Sequence, residues 1–217
     1  MNIIKYNDEK QFTKKAIEII HNSCKDEQTC TLAISGGNTP QDIYRQLGDS
    51  EVSFDNTKIY LVDERYVPLD HTKSNTKAIY ENLITDTNPL EYNYFDTSLP
   101  IEEALKKYEK RLPKKPFDLC ILGIGTDGHT ASLFPESPAL QETTRPVAHT
   151  QTDQNEIKDR LTLTFPKILS SKKILVLLKG KEKEAILETL QNPPPQFELF
   201  PAKKLLEHQN VTVLYLK

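Results

Sequence analysis

Short apolar runs of strand length alternate with helix-periodic segments from one end of this chain to the other, and few architectures accept that order. Residues 31–34, 58–62, 117–122, 174–178 and 211–216 are nearly unbroken apolar stretches, as expected of strands buried on both faces of a parallel sheet. Between them lie helical patterns. Residues 9–24 put Phe12, Ala16, Ile17, Ile19 and Ile20 on one face, and a short helix after Pro40 carries Ile43, Tyr44 and Leu47. Two more are expected over 74–83 and 101–112. A last one starts at Gly180-Lys181-Glu182-Lys183, carries Ala185, Ile186, Leu187 and Leu190, and ends at Pro193-Pro194-Pro195. Residues 145–148 and 160–164 read as short strands with β-branched residues. The order implies an α/β domain with an open, mostly parallel sheet and helices on both faces.

A chain of 217 residues can bury one core, and no repeat, low-complexity linker or composition shift divides it, so a single domain over 1–217 is expected. A formal charge of -3 offers no general attraction for nucleic acid, so any anion site must be local. Residues 1–8 already carry polar and charged residues and lack the apolar core of a signal peptide, and no run reaches membrane-spanning length. A cytoplasmic location follows as the expectation. Cys24, Cys30 and Cys120 show no metal-site spacing and form an odd set, which reads as three reduced structural thiols; the lysines at 106, 107, 110, 114 and 115 read as a solvated face.

Glycine is used sparingly, and where it occurs is informative. Five of the seven glycines, Gly36, Gly37, Gly123, Gly125 and Gly128, fall in two loops that each follow a buried strand. The first, Ser35-Gly36-Gly37-Asn38-Thr39-Pro40, delivers backbone N–H groups and two hydroxyls to a helix start, a ready site for phosphate. It is neither a P-loop nor a spaced-glycine dinucleotide fingerprint. Arg160 and Lys183 are cations that could converge on the same phosphate. The second loop sets Asp127 and His129 either side of Gly128. His129 can serve as general base or acid, and Asp127 can orient it or contact a substrate hydroxyl. Asp63-Glu64-Arg65 closes a strand at the edge where open α/β sheets bind ligands, with an internal ion pair as the alternative reading. His21, His71, His149 and His208 have no comparable setting. No serine sits in a nucleophile elbow and no residue set has metal spacing, which favours direct attack by water.

In this order, Ser35 to Pro40, Asp63-Glu64-Arg65, His71 with Ser74-Asn75, Gly123 to Pro135, Arg160-Leu161-Thr162 and Gly180 to Lys183 resemble the 6-phosphogluconolactonase family. The match runs over nearly the whole chain. Related glucosamine-6-phosphate deaminases share the glycine loops but typically carry Asp-Glu-Tyr and an Asn-Glu-Pro ending, where Arg65 and Ser132-Leu133-Phe134-Pro135 stand here. The resemblance implies a Rossmann-like sheet similar to that of the deaminases. It also implies hydrolysis of 6-phospho-D-glucono-1,5-lactone to 6-phospho-D-gluconate, a step of the oxidative pentose phosphate pathway, with no metal or organic cofactor. His129 would activate water, with oxyanion donors among the loop amides near Gly36 and Gly125 or the Arg65 guanidinium. Ser35, Gly36, Gly37, Asn38, Thr39, Asp63, Arg65, Gly125, Arg160 and Lys183 would bind substrate, with Gly37, Asn38, Thr39, Arg160 and Lys183 on the 6-phosphate. The segment 151–159 lacks the proline-rich stretch that many members carry, so the loop before Arg160 takes its own path. The expected partner is a small sugar-phosphate lactone, with no nucleic acid or membrane, and the chain acting as a monomer or weak dimer. The alternatives are an amino-sugar-phosphate deaminase, disfavoured by Arg65, and a sugar-phosphate sensor, disfavoured by the lack of a basic helix-turn-helix segment.

Overall fold

The computed structural model describes residues 1–48 and 52–217. Ten strands are named in chain order: β1 (Asn2–Tyr6), β2 (Cys30–Ile34), β3 (Thr57–Leu61), β4 (Asp63–Arg65), β5 (Glu91–Asn93), β6 (Leu119–Leu122), β7 (Val147–Gln151), β8 (Asp159–Leu163), β9 (Ile174–Lys179) and β10 (Val211–Leu216). Seven of them form one sheet in the order β1-β10-β9-β6-β2-β3-β5, and every neighbouring pair is parallel. The unbroken apolar runs are its centre. β2, β6 and nearly all of β9 and β10 are buried along their length, because helices cover the sheet.

The helices are α1 (Glu9–Cys24), α2 (Asn38–Gly48), α3 (Asn75–Ile79), α4 (Thr85–Thr87), α5 (Ile101–Arg111), α6 (Phe165–Leu169) and α7 (Glu184–Gln191). α1 starts where Asp8, in extended backbone, accepts a hydrogen bond from the Gln11 amide at 2.8 Å. It buries Phe12, Ala16 and Ile20, with Ile17 and Ile19 at the edge of that face. The helix expected over 74–83 is longer and not uniform: a five-residue π segment, Tyr80–Ile84, joins α3 to α4, which ends at Asn88 in the left-handed region (φ 42°).

Four features depart from the sequence expectation. β1 and β5 are edge strands with too few apolar residues to announce themselves. The strands expected at 145–148 and 160–164 do not join the parallel sheet; as β7 and β8 they pair antiparallel with each other, and β8 pairs antiparallel with β4. Lys183 lies in a single 3₁₀ turn (Lys181–Lys183) ahead of α7, not in the helix itself. Cys24 and Cys30 are not reduced thiols but a disulfide, because the turn between α1 and β2 returns the chain and leaves their Cα atoms 5.1 Å apart. Cys120 is the free, buried cysteine of β6, and burial pushes its thiol up to about 12. Among the described residues no helix is long and apolar enough to cross a membrane.

Candidate active site

The strand order reverses between β2 and β6. From β2 the chain builds outward through β3 and β5, and from β6 through β9 and β10. A crevice opens where such halves diverge, outside the carboxyl ends of the two strands. Both glycine loops start there, Ser35 after β2 and Gly123 after β6, and the Ser35 amide donates to the Ile121 carbonyl at 3.2 Å. The resulting cleft has a volume of about 230 Å³. The first loop contributes Ser35, Gly36, Gly37, Asn38 and Thr39, β4 contributes Asp63 and Arg65, the second loop Gly125 and His129, and the turn after β9 Lys183. Of the residues expected at the site, Asp127 and Arg160 alone do not line it.

Asp127 reaches the cleft through its neighbour. His129 Nδ1 lies 2.5 Å from Asp127 Oδ1, and the same oxygen accepts the His129 backbone N–H at 3.1 Å. The loop folds back tightly enough for this because Gly125 N–H donates to the His129 carbonyl (2.8 Å) and Gly128 N–H to the Gly125 carbonyl (3.0 Å). Gly125 leaves the space the imidazole occupies: a β-carbon there would stand 2.2 Å from the His129 ring and force the ring to shift. The imidazole also rests against Phe134, ring centres 4.8 Å apart. Burial pushes the Asp127 carboxyl up, but the hydrogen bond and charge of His129 outweigh it and hold the group below its usual range. An ionised Asp127 accepts and cannot donate, so the proton of the neutral imidazole is assigned to Nδ1. Nε2 then carries the lone pair, with no protein partner among the described residues.

The first loop carries the geometry of an anion site. Gly37 (φ +102°) turns the chain into α2, whose first residues are Asn38 and Thr39. Lys183 Nζ crosses to the Ile124 carbonyl at 2.8 Å, which sets the ammonium at the cleft wall. Asn75, in the first turn of α3, also lines the cleft, a residue to which the sequence assigns no role of its own. Its Nδ2 donates to the Asp63 carbonyl at 2.9 Å, and its buried Oδ1 has no partner; nor has the buried Oγ of Ser35. Its position next to Ser74 in a matched segment was the available signal, since its burial depends on the tertiary fold.

The triplet Asp63-Glu64-Arg65 is not an internal ion pair. Asp63 accepts the Ser132 hydroxyl at 2.6 Å, and Arg65 Nη1 donates to the Lys73 carbonyl at 2.7 Å. Glu64 is fully buried and receives four donors: the Arg65 and Asn75 amides at Oε1, and Ser74 Oγ and the Thr76 amide at Oε2. It therefore caps α3. Arg65 and Arg160 face each other across β4 and β8. Burial and then the Arg65 charge lower the Arg160 pKa, and Arg160 lines a separate cavity of about 100 Å³ that also includes Arg65, Lys73 and Glu156. The fold thus does not bring Arg160 together with Lys183. His149, read as unremarkable, forms a second histidine–carboxylate pair with Asp159 (2.7 Å), on the β7–β8 ribbon outside the cleft.

Residues 8–214 match the family model described as glucosamine-6-phosphate isomerases/6-phosphogluconolactonase. The probable 6-phosphogluconolactonase of Dictyostelium discoideum is 34% identical over 211 residues, covering 91% of this chain and 88% of that protein. The 6-phosphogluconolactonase of Thermotoga maritima is 38% identical over 168 residues, covering 75% and 76% respectively. The crystal structure of a T. maritima 6-phosphogluconolactonase superposes with a TM-score of 0.87 over 99% of this chain and 98% of that one, at 31% identity. A monomeric glucosamine-6-phosphate deaminase superposes equally well (TM-score 0.88, 24% identity, covering 100% and 98%), which shows the shared fold. Since the family model spans nearly all of the sequence and the relatives align along most of their own length, the chain belongs to the glucosamine-6-phosphate isomerase/6-phosphogluconolactonase family.

Proposed function

We propose that this chain hydrolyses 6-phospho-D-glucono-1,5-lactone to 6-phospho-D-gluconate by direct attack of water. The observation that carries the reading is the Asp127–His129 pair, which engages Nδ1 and leaves Nε2 unpartnered on a histidine that lines the same cleft as the Ser35–Thr39 loop. His129 Nε2 takes a proton from water as the water oxygen bonds to C1, and the carbonyl electron pair moves onto its oxygen. On collapse the bond from C1 to the ring oxygen breaks, and the imidazolium returns the proton to that oxygen. Asp127, behind the ring, fixes the tautomer and stabilises the imidazolium; it is a positioning residue. Activation of water by an imidazole needs no metal or organic cofactor.

Gly37, Asn38, Thr39 and Lys183 hold the 6-phosphate, and Ser35, Gly36 and Asp63 line the sugar. Arg65 stands between the cleft and the smaller cavity, with Arg160 behind it adding to the positive potential. Of the loop amides near Gly36 and Gly125 expected as oxyanion donors, that of Gly125 itself is already engaged by the His129 carbonyl. In this reading the chain works as one domain over residues 1–217, a monomer or weak dimer in the cytoplasm, on a small sugar-phosphate lactone and without nucleic-acid or membrane partners.

The test is hydrolysis of freshly generated lactone against its spontaneous rate. His129→Ala is expected to lower kcat by about 10²-fold or more. No hydrolysis by the parent protein, with ammonia released from glucosamine-6-phosphate, would replace this reading by the deaminase.

A further inference from the structure

Water attack on a lactone carbonyl places a negative charge on the carbonyl oxygen, and that charge needs a preformed donor. Ala131, two residues beyond His129, has the features of one. It lines the cleft and adopts φ +52°, a left-handed conformation that alanine has no side-chain hydrogen bond to support. Of the three non-glycine residues with positive φ among the described residues, Asn88, Ala131 and Glu136, Ala131 alone lines the cleft.

The conformation is imposed by its neighbours. Thr130 is fully buried, with Oγ1 bonded to the Gly123 carbonyl (2.9 Å) and its own carbonyl accepting the Leu133 amide (3.0 Å). Ser132 is held at three points: its amide by Thr162 Oγ1 (3.2 Å), its hydroxyl by Asp63 (2.6 Å) and its carbonyl by Thr150 Oγ1 (2.8 Å). Between these fixed residues the Ala131 N–H donates to no acceptor among the described residues. Strain over-determined by surrounding bonds, beside a general base, is what preorganisation of a backbone dipole requires.

We propose that the Ala131 amide N–H donates to the developing oxyanion of the tetrahedral intermediate, which makes Ala131 a catalytic residue through its backbone. The proposal rests on the water-attack reading above. The donor takes no part in proton transfer: it strengthens its hydrogen bond as the carbonyl π pair moves onto oxygen and releases it when the ring C–O bond breaks.

The test replaces Ala131 by its α-hydroxy acid counterpart, lactic acid, so that the N–H becomes an ester oxygen while the side chain is kept. The expected result is a fall in kcat of about 10²-fold with KM within about threefold. A folded ester variant with unchanged kcat overturns the proposal. Loss of the parallel effect of His129→Ala would instead overturn the water-attack reading. Should the ester variant not fold, the parent labelled with ¹⁵N-alanine is titrated with 6-phosphogluconate, whose carboxylate carries the former carbonyl oxygen. A downfield shift of the Ala131 amide proton is expected, and its absence at saturation overturns the proposal.

Discussion

Asn75 and Gly36 approach so closely that a β-carbon on residue 36 would lie 2.1 Å from Asn75 Oδ1 and 2.4 Å from its Cγ. Asn75 cannot swing away freely, because its Nδ2 is tied to the Asp63 carbonyl and its side chain is buried. Gly36→Ala is therefore expected to lower stability by about 1–3 kcal/mol, the range for overpacking a filled site, and to reduce kcat/KM. Urea unfolding measures the first effect. Adding Asn75→Ala should recover part of the stability; strictly additive losses would mean that the two residues do not clash.

The Asp127–His129 pair carries a pH signature. Because the folded-state pKa of Asp127 lies below its unfolded value of about 3.9, its contribution to stability is fully present above that value and lost as pH falls through the depressed folded pKa. Asp127→Asn should lower kcat by about 10²-fold and flatten the acid side of the stability profile. Thermal unfolding between pH 2 and 6 tests the second part. Parallel profiles for parent and variant would show that Asp127 does not gain from His129.

In the proposed function Lys183, at the cleft wall, acts on binding more than on chemistry. Loss of one charge-assisted hydrogen bond to the phosphate, about 1.5–3 kcal/mol, predicts that Lys183→Ala raises KM about 10- to 100-fold with kcat nearly unchanged. Unphosphorylated gluconolactone provides the control. An equal loss on both substrates would place the phosphate elsewhere.

Glu64 holds the site from below. Its two oxygens face four donors, so Glu64→Gln turns an NH₂ group toward N–H or O–H groups and leaves buried donors unpaired. A loss of about 2–4 kcal/mol is expected, with Asn75 and the Gly36 loop disturbed as α3 loses its cap. Denaturant unfolding within 0.5 kcal/mol of the parent would contradict this capping role.

The Cys24–Cys30 bridge closes a short loop, and its reduction should lower stability by about 2 kcal/mol. Alkylation with a mass tag, in cells and after purification, should label at most one cysteine per unfolded chain without reductant and three with it. Three labels without reductant in material quenched directly from cells would show that the bridge does not form there. In the native protein Cys120 should resist labelling, since burial keeps its thiol protonated.

The central strands, the bounds of α1 and β10, and both glycine loops were legible along the chain. Buried parallel strands must be apolar on both faces, and helix caps and glycine turns act over a few residues. Pairing across the chain was not legible in the same way. The edge strands β1 and β5 bury too little to show a pattern; β7 and β8 read like any other β-branched segments and β4 as the end of the strand before it, until the antiparallel register of β4 and β8 put Arg65 opposite Arg160. Asn75, Ala131 and the Cys24–Cys30 bridge share that cause: an orphaned carboxamide, a positive φ and a 5.1 Å Cα separation are properties of neighbours brought together.

By itself the sequence determined that this protein is α/β and that its Asp127–His129 pair and its Ser35–Pro40 glycine loop each follow a buried strand, because periodicity, glycine placement and residue chemistry are local. Tertiary structure alone decided which groups meet. The reversal of strand order between β2 and β6 set the two loops across one cleft, and the antiparallel pairing of β4 with β8 left Arg160 outside it. Hydrogen bonds between residues far apart in the chain set those distances.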